Sequence, residues 1–179
     1  MSSLKISVCL ITALFFFFKP VCYAQQKDSL TSQLEIKWKN AMTYTLKMAE
    51  LMPEDFYDFK PTDEVMSFKE QLLHIAQNIQ WLSSSYLLSN EKAKQKNNDL
   101  TRIAKPVVIQ QLKEAYDMGL LAHQSLSPTQ LEETVSFFAG PKTKRQILIL
   151  LHDHQTHHVG QIIVYLRLKG IKPPAYVGW

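Results

Sequence analysis

The sequence predicts an all-α protein, a four-helix bundle. Apolar residues recur at spacings of three and four along four long segments. Capping boxes, prolines and a glycine mark the ends of those segments, and no run carries a convincing strand pattern. Four amphipathic helices that each have an apolar stripe to bury are best satisfied by packing on one another.

The first helix is expected from about Asp28 to Leu51, with Leu30, Leu34, Trp38, Ala41, Thr45 and Met48 as its stripe; Pro53 enforces its end. An acidic and aromatic loop, Pro53 to Met66, follows. The second helix opens on the capping box Ser67-Phe68-Lys69-Glu70, in which hydroxyl and carboxylate each satisfy a free backbone N–H, and continues to about Leu88. Its stripe is Phe68, Leu72, Ile75, Ile79, Leu82 and Tyr86. Polar residues Ser89 to Asp99 form a loop, and Pro106 lies in the first turn of the third helix, where its missing N–H is harmless; that helix ends near Ser125. Ser127-Pro128-Thr129-Gln130 caps a short further turn, and Thr134 to Gly140 reads as extended or irregular. The fourth helix starts at the box Thr143-Lys144-Arg145-Gln146 and runs to Lys169, before Gly170 and Pro173-Pro174 stop it.

Residues 1–24 read as a signal peptide: Lys5 gives a positive start, Val8 to Phe18 is apolar, and Cys22-Tyr23-Ala24 offers a cleavage site. Lys19-Pro20-Val21 makes Cys22 a poor acylation site. Export to the periplasm or outside the cell is therefore expected, with no stable membrane insertion once the leader is removed. Residues 25–179 then form a single domain without cysteine, because Cys9 and Cys22 both lie in the leader. Disulfides, a catalytic thiol and thiolate metal ligands are excluded. Removing Lys5 and Lys19 leaves 18 basic against 16 acidic residues, so the formal charge falls from +4 to +2. That near-neutral balance argues against nucleic acid as a partner, and Lys92, Lys94 and Lys96 read as a solvated loop. A small-molecule substrate is expected, and a homodimer is compatible with the sequence.

Four of the six histidines fall in His152-Asp153-His154-Gln155-Thr156-His157-His158. His154 and His158, spaced i and i+4, stand on one face of the fourth helix, in line with Ile147, Leu151, Ile162 and Tyr165. Two imidazoles in an apolar stripe are costly unless both ring nitrogens are satisfied, which a metal ion on one and an acceptor on the other achieve. The alternative is a hydrogen-bonded core histidine with surface neighbours. His152 and His157 fall off the stripe and are expected to be solvated or to support the ligands, with Asp153 and His157 as an i, i+4 pair; His123 is expected at the surface or boundary. The better third ligand is His74, on a flank of the second helix shared with Ser67, Asn78 and Trp81. Periodicity leaves open whether that flank faces the interior.

Two stretches resemble a known family. Ser67 to Ala76 is similar to a serine-started helix carrying one histidine, and His154-Gln155-Thr156-His157-His158-Val159-Gly160-Gln161-Ile162 resembles a His-x-x-His-His-Arg-Gly-Gln signature. With Leu166-Arg167, Gly170 and Pro173-Pro174 at matching spacing, the chain from about Leu34 to Pro174 resembles the DinB-like (DinB/YfiT) superfamily, regarded as metalloenzymes. The resemblance implies a three-histidine divalent-metal site at His74, His154 and His158. Val159 stands where the family often has Arg.

Three imidazoles leave an ion an open position, as in catalytic sites. Zinc is the default, with nickel or iron as alternatives that imidazole also suits. The resemblance implies hydrolysis or metal-dependent thiol S-transfer, and export favours hydrolysis because small thiols are mainly cytosolic. A non-catalytic metal-binding bundle is the third reading. Glu70 and Asn78, one turn before and after His74, are the candidate catalytic assistants, and Trp81 and Tyr165 are candidate pocket walls.

Overall fold

A computed structural model describes residues 29–88 and 103–179. The expected signal peptide and the Ser89–Asp99 loop with its three lysines lie outside the described residues.

Four long helices build the bundle: α1 (Ser29–Leu51), α2 (Phe68–Leu82), α3 (Lys105–Ser125) and, after a one-turn α4 (Pro128–Leu131) and a pair of two-residue strands, α5 (Lys144–Leu168). The strands β1 (Thr134–Val135) and β2 (Lys142–Thr143) pair antiparallel, Thr134 with Thr143 and Val135 with Lys142. α2 packs on α3 and α5, and α1 packs on the same two helices, so the four stand in a square. Among the described residues, no helix is long and apolar enough to cross a membrane.

The local signals work as the residues dictate. Ser67 accepts from Glu70 N, and the Glu70 carboxylate accepts from Ser67 N at 2.6 Å. Thr143 and Gln146 close the same reciprocal box on α5, as Ser127 and Gln130 do on α4. Gly170, at φ +72°, ends α5: its N–H and that of Ile171 return to the carbonyls of Arg167 and Leu166, a conformation few residues other than glycine adopt. α2 continues past Leu82 as a π turn, Ser83–Leu87, so the expected end near Leu88 is met in a wider winding.

Trp38, Met48, Phe68, Leu72, Ile79, Leu112, Tyr116, Leu151 and Ile162 are fully buried in one core, each contributing about 1.5–3 kcal/mol by its burial. Leu30, placed in the α1 stripe by periodicity, is instead exposed at the helix start, where no neighbouring helix covers it. β1 falls within the Thr134–Gly140 stretch read as extended or irregular, whereas its pairing with Lys142–Thr143 was not expected. β-branched Thr134, Val135 and Thr143 suit it, and the ion pairs Lys144–Glu133 and Arg145–Glu132 hold its two ends together.

Candidate metal centre

α2 and α5 run antiparallel, which sets Gln71 and His74 on α2 against His158, His154 and Gln161 on α5. His74, His154 and His158 each bring one ring nitrogen to a cluster in which all three lie within 4.8 Å of one another. His74 Nε2 stands 3.2 Å from His154 Nε2. Two imidazole ligands about 2.0–2.1 Å from a tetrahedral zinc would have their nitrogens roughly 3.3 Å apart, so the spacing fits. His158 is buried, while His74 and His154 are half-buried.

The surroundings keep the three imidazoles neutral. Burial lowers the pKa of all three imidazoles, to about 4 for His154 and His158, where the neighbouring histidines add to the effect. Neutral imidazole, the form that ligates, therefore prevails at neutral pH. His158 Nδ1 lies 2.6 Å from Gln71 Oε1, which accepts its proton and leaves Nε2 with a lone pair. His154 Nδ1 and Asn78 Oδ1 are buried with no hydrogen-bond partner among the described residues.

A cavity of about 170 Å³ adjoins His74, lined by Met66, Glu70, Leu73, His74 and Gln77. Glu70 reaches it while committed elsewhere: it closes the α2 capping box and pairs with Lys60 at 3.4 Å, and the Ser67 backbone hydrogen bond holds its pKa below the carboxylate norm. Tyr165 donates to the Met66 carbonyl at 2.7 Å and so anchors the cavity rim without lining it. Trp81 is also absent from the lining, turned toward Tyr86, Phe137 and Phe138.

Two histidine expectations are corrected. His123 is wholly buried, and His152 is 2% exposed rather than solvated. Their Nε2 atoms are 2.8 Å apart and each ring lies 5.1 Å from Trp38. The reason is that α5 has two packed faces: His152 points toward α1 and α3, where the stripe argument assumed solvent. His157 is exposed as expected, and its Nε2 meets Gln161 at 3.0 Å; a pair with Asp153 is not among the ion pairs of the described residues. Gln71, Gln77 and Gln161 were not singled out from the sequence. The signal was present, since Gln71, His74 and Asn78, like His154, His158 and Gln161, recur at three or four residues. Val159 is buried on another side of α5, beside Lys37, Tyr44 and Tyr176.

A helical bundle with three converging imidazoles and an adjoining cavity is compatible with a metal-binding protein. Residues 26–178 match the DinB family, and the chain belongs to it. It is 30% identical over 139 residues to the protein YjoA of Bacillus subtilis strain 168, a span that covers 70% of this chain and 82% of YjoA. The crystal structure of that DinB-like protein superposes with a TM-score of 0.66 at 23% identity, covering 80% of this chain and 96% of the other. A DinB-like protein from Bacillus cereus ATCC 10987 superposes at 0.68 and 20% identity, covering 82% and 97%. At these identities the likeness speaks for the fold.

Proposed function

We propose that this protein binds one divalent ion, zinc by default, through His74, His154 and His158, and acts as an exported metal-dependent hydrolase. The convergence of three neutral imidazoles carries this reading. Three ligands leave an ion an open position, from which it supplies Lewis acidity and brings the pKa of water toward neutrality. Export rests on the leader-like residues 1–24.

The chain's own groups do the rest. Met66 and Leu73 accept an apolar part of the substrate, and the Gln77 amide offers both a donor and an acceptor beside His74. Glu70, held ionised at the same cavity, orients a substrate donor. Asn78, the other candidate assistant, does not line that cavity, and its Oδ1 is buried without a partner among the described residues, so Glu70 is the orienting group.

The test offers zinc-loaded protein a panel of esters, amides and phosphoesters, then electrophiles with several small thiols. Hydrolysis that disappears in His154→Ala is the expected result. Thiol-dependent turnover alone would replace hydrolysis with S-transfer, and no turnover in either panel would leave a metal-binding role.

A further inference from the structure

Behind the three histidines, a chain of amides leads from His158 to the surface. His158 Nδ1 lies 2.6 Å from Gln71 Oε1, Gln71 Nε2 lies 2.7 Å from Gln161 Oε1, and Gln161 Nε2 lies 3.0 Å from His157 Nε2. Gln71 is 2% exposed, Gln161 is half-buried and His157 is exposed, so the chain begins beside the metal cluster and ends in water.

A carboxamide has one accepting and one donating end, so only two directions satisfy every link. In the direction seen here, His158 Nδ1–H donates to Gln71, Gln71 donates to Gln161, and Gln161 donates to His157 Nε2. His158 Nε2 is then a bare lone pair, and neutral His157 carries its proton on Nδ1. In the reverse direction both amides are turned over and His157 Nε2–H donates inward. Gln71 then donates to His158 Nδ1, whose proton must sit on Nε2, the atom a metal would need. Turning one amide alone sets two donors or two acceptors face to face and leaves a buried group unsatisfied. The two amides therefore turn together.

We propose that Gln71 and Gln161 are positioning residues that hold His158 in its ligating tautomer, and that the direction of the relay fixes the tautomer of His157 at its outer end. The proposal rests on the metal-binding reading above. A ligand histidine whose other nitrogen loses its acceptor typically loses about 10–100-fold in metal affinity. Gln71→Met removes that acceptor. Gln71→Glu keeps it, but a carboxylate can only accept, so Gln161 must turn its amide N–H inward and present its oxygen to His157. The variant thus keeps His158 on Nδ1–H and moves the His157 proton to Nε2.

The experiment titrates zinc into untagged wild type, Gln71→Met and Gln71→Glu, and reads the imidazole tautomers by nitrogen-15 NMR in the zinc-loaded state. Wild type should show His157 protonated on Nδ1. Gln71→Met should lose about 10–100-fold in zinc affinity. Gln71→Glu should retain affinity with His157 switched to Nε2–H. If circular dichroism finds Gln71→Met unfolded, Gln161→Leu replaces it, with a smaller affinity loss and no fixed His157 tautomer expected. Unchanged affinity in the truncating variant, or an unchanged His157 tautomer in Gln71→Glu, would overturn the relay alone. Absence of zinc binding by wild type would remove the metal reading and the relay with it.

Discussion

Two histidine groups sit on α5 two residues apart and are put to opposite ends. His152 turns toward α1 and α3 and closes a pair with His123; His154 turns toward α2 and opens a cluster with His74 and His158. In the closed pair, Gly119 O accepts from His123 Nδ1 at 2.7 Å, so the bare His123 Nε2 receives His152 Nε2–H. His123 is satisfied at both ring nitrogens and His152 at Nε2, while His152 Nδ1 is buried without a partner among the described residues; both rings pack on Trp38. Gly119 tightens the same corner, since a Cβ there would stand 2.4 Å from Trp38 Cζ2. In the open cluster, three nitrogens converge that cannot all satisfy one another, beside a cavity. The two groups differ in what surrounds them: two rings closed on each other and on Trp38, against three rings converging beside a cavity.

The largest contrast should come from breaking each group once. His154→Ala is expected to abolish stoichiometric zinc binding, measured by elemental analysis of untagged protein, with little loss of stability; His74→Ala should do the same, and full occupancy there would sink the three-ligand assignment. His123→Leu should do the opposite. It strips His152 of its acceptor inside the core, for a loss of about 1–3 kcal/mol in urea unfolding, and leaves zinc binding intact.

Acid should sharpen the comparison. Burial first, then nearby positive charge, lowers His152 to about 3 and His154 and His158 to about 4. The unfolded chain, with imidazoles near ~6.5, takes up protons before the native state does. Stability of the metal-free protein is therefore complete above about 6.5, falls as pH drops from there toward about 3, and levels off below for these groups. The His152 share is the larger, because the trio is partly solvated. Proton competition for zinc should also begin below the ~6.5 of ordinary imidazole, so metal retained at pH 5.5 to 6, about one ion per chain, is the expected reading. Zinc lost at pH 6.5 would contradict the lowered values.

The smallest effect expected is on the fold itself when metal is removed. The closed pair and the core lie apart from the cluster, so a chelator should leave the far-ultraviolet helical signal nearly unchanged. Loss of most of that signal would make the open cluster structural.

Most of the bundle was legible in the chain, because caps and periodicity are local. Ser67 with Glu70, Thr143 with Gln146, Pro53 and Gly170 act within a few residues of themselves, and their helices begin and end where those residues require. The i, i+4 pair His154 and His158 was legible for the same reason. The third histidine was not settled by periodicity, since His74 lies off its helix's stripe; its flank made it a better candidate than His123, and resemblance to a family then singled it out. What the tertiary structure alone decided is which helix each face meets. α5 is covered on more than one side, so His152, off the stripe, is buried against His123, and Gln71, 87 residues from His158, becomes its acceptor. Periodicity states how residues are arranged around one helix axis. It carries no information about the rotation and register of two helices that pack together, and those set the partners of every buried nitrogen.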